Sequence, residues 1–344
     1  MNPKVLGGWL AENAPLPDAV LRCGIAARVA TTRRRLASLD AMAEETRFMA
    51  AMAERPIADL TSAANQQHYE LPAAFFENVL GPRRKYSCCL YEAGDESLAE
   101  AEEKALRIAA ERAILADGQS VLELGSGWGS LCLWMAERFP ASRIVAVSNS
   151  RSQREFIERQ SVRRGFANLR VITADMNNFI PRERFDRIVS VEMFEHMANW
   201  PLLLDRIADW LNPDGRLFLH VFTHRSVSYS YNHDNDTDWI AKHFFTGGIM
   251  PSHKLIRRCD RRYELDAEWR WSGGHYQRTA LNWLANFDQQ AVAIRPILSQ
   301  VYGADAALWR RRWRLFFLAT AGLFGDSGGE EWGVSHYRLK PRAG

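Results

Sequence analysis

A doubly wound, mostly parallel α/β sheet preceded by a helical region is the fold that this sequence predicts. Three observations carry the expectation. From Ser120 onward, short apolar runs recur at roughly 20–30 residues with helical segments between them, as βα units require. The first run leads into a glycine-rich turn, Glu123-Leu124-Gly125-Ser126-Gly127-Trp128-Gly129, in the context that opens a helix. A late segment, residues 330–339, partly alternates polar and apolar side chains and predicts a closing antiparallel strand.

Taken in chain order, residues 1–95 are read as a helical N-terminal region, because Val20, Leu21, Ile25, Val29 and Leu36 recur at helical spacing. The run Arg33-Arg34-Arg35 is read as a solvated helix face, with an anionic-lipid contact as the alternative. Residues 96–344 form the expected core. Its parallel strands are placed at 121–124, 144–147, 169–172, 187–191 and 217–221, and Asn212-Pro213-Asp214-Gly215 is the turn that stops the helix before the fifth. Residues 224–290, rich in aromatic side chains and His, break the βα rhythm and are expected to be an inserted substrate cap. Arg310-Arg311-Arg312-Trp313-Arg314 is read as another solvated face in preference to a grip on membrane phosphates.

Composition narrows the class. The chain has 344 residues, 47% hydrophobic and 25% charged, which excludes a disordered, collagenous or disulfide-stapled protein. A net charge of +3 is too small to imply a polyanion, so no nucleic-acid partner is expected. Cys23, Cys88, Cys89, Cys132 and Cys259 lack a repeated Cys-x-x-Cys spacing, which predicts a reducing compartment and no metal site. No secretory signal opens the sequence, and the longest apolar stretch, residues 315–324, is about half of the ~20 that a bilayer crossing needs. A cytoplasmic protein is expected, with its oligomeric state open and a homodimer among the options.

The chemistry begins at the turn. Gly125, Gly127 and Gly129 allow close backbone approach, and a helix N-terminus offers N–H groups to a carboxylate. Glu123 repels a pyrophosphate and suits an amino group, as in the methionine part of S-adenosylmethionine. The third glycine and the acidic ribose ligand of a dinucleotide fingerprint are missing, so a methyl-donor site is preferred to a dinucleotide site. Ser148 to Gln153, after the second strand, bring polar side chains within reach of ribose hydroxyls, with helix capping as the alternative. Asp175 and Met176, after the third, are placed at adenine, with a turn-forming Asp as the alternative. Glu192, Glu195 and His196 fall at i, i+3 and i+4; a helix here puts them on one face at the carboxyl edge of the sheet.

Asn65 to Pro72, Lys85-Tyr86-Ser87-Cys88-Cys89, Leu124 to Ser130 and Val191-Glu192-Met193-Phe194-Glu195-His196-Met197 together resemble the cyclopropane-fatty-acid synthase family of S-adenosylmethionine-dependent methyltransferases. Tyr86 to Cys89, Asn149-Ser150, Glu192 to His196, Asp238-Trp239-Ile240 and Phe244 to Ser252 are most similar to its coclaurine N-methyltransferase branch. The resemblance implies a class I methyltransferase fold, Rossmann-like, with Tyr86 and Ser87 closing over S-adenosylmethionine and Asn149 and Gln153 near its ribose. It also implies that Glu195 and His196 deprotonate an amine while Glu192 anchors it.

The same resemblance brings a second chemistry, methylation of an unsaturated acyl chain with bicarbonate as base. Its holders correspond to Cys88, Glu195, His220 and Tyr276 here, Tyr276 being placed after a flexible turn that swings it over the pocket. Peripheral membrane contact goes with that reading alone. Glu192 favours the amine, because the cyclopropane branch usually has Gly in its place. Thr320-Ala321-Gly322 points the other way, being similar to that branch's Cys-Ala-Gly.

Overall fold

The computed structural model describes residues 8, 10–59, 71–232, 235, 238–259 and 261–342. The motif from Asn65 to Pro72 therefore lies, up to residue 70, outside the described residues.

Five strands run parallel: β1 (Ser120–Leu124), β2 (Arg143–Ser148), β3 (Leu169–Thr173), β4 (Phe185–Val191) and β5 (Leu211–His224). A short pair, β6 (Tyr229–Ser230) and β7 (Ile249–Met250), follows as a separate two-stranded sheet. β8 (Tyr263–Ser272) and β9 (Trp332–Pro341) complete a seven-stranded sheet in the order β3-β2-β1-β4-β5-β9-β8, with β9 antiparallel to both neighbours. Alternation along the strands builds a core on each face. Val121, Ile144, Val189 and Phe218 pack on one side, and Leu122, Val145, Ile188 and Leu219 on the other. The strand order reverses between β1 and β4, where open α/β sheets form their ligand crevice.

Several of the helices around this sheet start on side-chain caps. Ser150 accepts from Gln153 N–H at the helix Arg151–Arg163, and Asn199 from Leu202 N–H at Trp200–Trp210. Ser97 and Glu100 form a reciprocal capping box at Leu98–Arg112. The N-terminal region is helical as expected, with helices Asp18–Ala37 and Ala41–Ala53, although Val20 is exposed. The apolar stretch 315–324 lies in the helix Ala306–Phe324, which packs on Gly273–Gln289 and Asp18–Ala37. No helix among the described residues is long and apolar enough to cross a membrane.

The structure differs from the sequence reading at three places. β8 falls inside 224–290, so that segment is not wholly an insertion: Tyr263–Ser272 is an edge strand of the main sheet, followed by the helix Gly273–Gln289. Asn212 to Gly215 forms a bulge within β5, between the pairs Phe185–Leu211 and Arg187–Arg216. The arginine run is not a solvated face. Arg314 pairs with Asp18 and Asp288, Arg312 with Glu12, and Arg311 donates to the Glu12 carbonyl, because the N-terminal segment folds back onto this helix.

Candidate active site

The carboxyl ends of β1 to β5 surround one cavity, and the glycine turn forms its floor. Gly125 has φ +85°, and a Cβ there would stand 2.5 Å from the Met193 Cβ, so only glycine fits. Gly129, at φ +83°, begins the helix Ser130–Arg138. Beneath the turn Glu123 is buried, and its Oε2 has no hydrogen-bond partner among the described residues. Burial pushes its carboxyl up to about 7.

Ser126 Oγ and Gln153 Nε2 are likewise buried without partners there, while Gln153 Oε1 accepts from Ser148 at 2.7 Å. Buried polar atoms of this kind need partners, and these face a cavity also lined by Asn149, Asp175, Met176, Tyr86 and Ser87. The set fits a ligand with an ammonium group, hydroxyls and a flat ring. Asp175 also accepts from Asn177 N–H at 2.8 Å, so the turn role and the cavity role coexist.

Glu192 is the centre of the opposite wall. Its backbone sits at φ +48°, a left-handed conformation that costs a non-glycine residue about 1–2 kcal/mol. From there the carboxylate meets donors from three separate elements. Cys88 N–H donates to Oε1 at 2.9 Å, His220 Nε2 lies 3.2 Å from the same oxygen, and Tyr276 O–H donates to Oε2 at 2.7 Å. Burial pushes Glu192 up, and the Lys85 charge with the Cys88 and Tyr276 donors pulls the other way. The net direction is upward.

Three of the four expected bicarbonate holders thus already serve a carboxylate of the chain. The fourth, Glu195, turns its Oε1 to Phe222 N–H at 2.6 Å. These residues do not fit a bound bicarbonate, and that expectation is corrected. Cys88 takes part through its backbone, its buried thiol being held well above the usual range. Tyr276 is no swinging residue. Gly273 opens the helix Gly273–Gln289, and a Cβ on it would lie 2.2 Å from the Phe324 and Trp332 carbonyl oxygens, so this turn is tightly packed.

The shared helical face of Glu192, Glu195 and His196 does not form. The left-handed Glu192 precedes only a 3-10 turn, Phe194–His196. His196 joins Glu192 at the cavity wall, whereas Glu195 lies behind it with Oε2 buried and without a partner among the described residues. Burial, then the charge of Glu192, pushes Glu195 well up; burial pushes His196 down to about 4. Phe245 packs 4.6 Å from the His196 ring and adjoins Phe222 and Tyr231, an aromatic cluster next to His196. Trp239 instead packs on Phe244, which in turn meets Trp309 and Trp313.

Lys85 is a cavity residue to which the sequence reading gave no role. It is 3% exposed, and its ammonium donates to Ser87 Oγ and to the Cys88 carbonyl. No local signal marks it, since it follows Arg83 and Arg84 as the third cation of a run. Gly322, in the departure noted at Thr320-Ala321-Gly322, would place a Cβ 2.5 Å from Ile25, so helix packing explains the small residue.

Comparisons with known proteins agree with this geometry. The family model described as mycolic acid cyclopropane synthetase matches residues 58–327. (S)-Coclaurine N-methyltransferase of Thalictrum flavum subsp. glaucum is 36% identical over 291 residues, covering 83% of this chain and 81% of that protein. A crystal structure of coclaurine N-methyltransferase bound to N-methylheliamine and SAH superposes with a TM-score of 0.92 at 33% identity, covering 96% and 97% of the two chains. Cyclopropane-fatty-acyl-phospholipid synthase of Escherichia coli (strain K12) is 28% identical, over 75% of this chain and 63% of its own length.

Proposed function

The chain belongs to the mycolic acid cyclopropane synthetase family, and from that premise we propose that it methylates the nitrogen of a small aromatic amine with S-adenosylmethionine as donor. The observation that carries this reading is the Glu192 carboxylate, fixed by three donors beside His196 at the cavity wall. A buried carboxylate already positioned by hydrogen bonds suits a cationic amine, whose charge favours its ionised form, and offers nothing to a neutral acyl chain.

When bound, S-adenosylmethionine supplies an electrophilic methyl group. Glu123 and the turn 125–129 hold its amino-acid end, Asn149 and Gln153 the ribose, Asp175 and Met176 the adenine, with Tyr86 and Ser87 closing over it. Glu192 takes the charge of the arriving ammonium and sets its position. His196, kept neutral by burial, accepts the amine proton, and Glu195, whose carboxyl burial makes a stronger base than in water, backs it from behind. Phe245 with its aromatic neighbours offers ring faces to an aromatic acceptor. Five cysteines free of disulfides fit a reducing, cytoplasmic setting.

Mass spectrometry tests the proposal on the purified protein with S-adenosylmethionine, against a panel of benzylisoquinoline and simple aromatic amines and, separately, unsaturated phospholipid vesicles. One methyl gained on an amine is expected. One carbon gained on an acyl chain, with loss of its double bond, overturns the reading.

A further inference from the structure

Behind Glu192 the sheet carries a buried column of which this chemistry uses only His220. His220 on β5 is paired in register with His336 on β9, and their rings lie 4.5 Å apart at 34°. Trp271 of β8 presses on both, 4.3 Å from His336 and 5.5 Å from His220. Arg112, at the end of the helix Leu98–Arg112, donates from Nη1 to His336 Nδ1 at 2.7 Å. Its guanidinium lies over Trp269 and Trp271, at 4.8 and 5.4 Å.

His336 meets His220 by ring contact alone, its Nε2 having no hydrogen-bond partner among the described residues, so each proton position is set by the ring's other neighbour. A guanidinium only donates, so His336 Nδ1 is the acceptor and a neutral His336 carries its hydrogen on Nε2. Both imidazoles are fully buried. Burial holds both well below the usual histidine range, and the Arg112 and Lys85 cations act in the same direction. Facing Glu192 as a carboxylate, a neutral His220 donates its one hydrogen from Nε2. A doubly protonated His220 would instead cancel the charge that an amine requires.

We propose that Arg112 and His336 are positioning residues that hold His220 as the neutral, Nε2-protonated imidazole orienting Glu192, so that the Glu192 charge is left for the amine. The inference rests on the reading of Glu192 given above, and its test separates the two. The full-length protein with 15N-labelled histidine is followed by imidazole NMR from about pH 5.5 to 8, and kcat and KM are measured on the best amine.

In the wild type His220 should stay Nε2-protonated without titrating. Arg112→Met removes the cation, and His336→Phe keeps the stacked ring without the acceptor. Both should let His220 titrate or change tautomer and should lower kcat about fivefold, the size of one ordinary hydrogen bond, with KM for S-adenosylmethionine unchanged. His336→Asn, whose Oδ1 replaces Nδ1 as acceptor, should recover most of the rate. An unchanged His220 spectrum in both variants overturns the proposal, as does a loss of kcat that only follows lost thermal stability and is not recovered by Asn. If the wild type methylates no amine, the functional reading fails while the spectra still decide the column.

Discussion

Replacing Glu192 by glycine empties the slot into which Cys88, His220 and Tyr276 point. The backbone favours the change, since φ is +48° at this position and glycine escapes about 1–2 kcal/mol of left-handed strain. A folded variant is therefore expected. What it loses is the buried counter-charge of the amine, a charge-assisted contact of about 1.5–3 kcal/mol, or about 10- to 150-fold in kcat/KM. The three donors remain, now without an acceptor. Added formate or bicarbonate should occupy the slot and restore part of the rate in a saturable way, read by mass spectrometry of the methylated amine. Glu192→Gln keeps the volume and leaves no room for an anion, so it should be slow and unrescued. The reasoning fails if the glycine variant is as fast as wild type, or if no small carboxylate restores any rate while donor binding stays intact.

Two further expectations concern pH. Burial raises Glu123 to about 7 in the free protein, so affinity for S-adenosylhomocysteine should weaken as pH falls through that value and the carboxyl turns neutral. The same shift makes the unliganded fold lose stability as pH climbs from the ordinary 4.5 through about 7; calorimetric titration of wild type and Glu123→Gln should show the affinity slope only in the former. Glu12, against the upward push of burial, is lowered to about 2 by His243, Arg312 and Trp239. Its stabilising effect should be full above about pH 4.5 and fade toward pH 2, so acid-unfolding curves of wild type and Glu12→Gln should converge at the acid end. Curves that stay equally far apart down to pH 2 would mean that its charge is not what ties the N-terminal segment down.

What was legible in the sequence was local. The parallel strands, the glycine turn and Asp175-Met176 each combine a short period with turn chemistry, and the structure places them at the crevice. The spacing of Glu192, Glu195 and His196 misled because it assumed helical backbone, whereas a left-handed Glu192 followed by a 3-10 turn leaves Glu192 and His196 on the cavity and Glu195 behind it. β8 was hidden because a register shift between Leu265 and Ala267 breaks its alternation. Lys85 and the Arg112–His336 contact were out of reach for a different reason. Arg112 and His336 are 224 positions apart, and no spacing rule reports which distant side chains will share a buried space.

The placement of β9 between β5 and β8 has a consequence for biosynthesis. Both of its neighbours leave the ribosome earlier, and until β9 arrives the edges it will cover are without their native partner. The final strand to emerge is thus the one that closes the sheet, and it delivers His336 behind His220 as it does so. A nascent chain stalled before Trp332 would hold the glycine turn, Glu192 and His220, and would still lack the wall that sets them. Chaperone dependence during translation, and aggregation of chains truncated between Ser272 and Trp332, are the costs of finishing the site from its last strand.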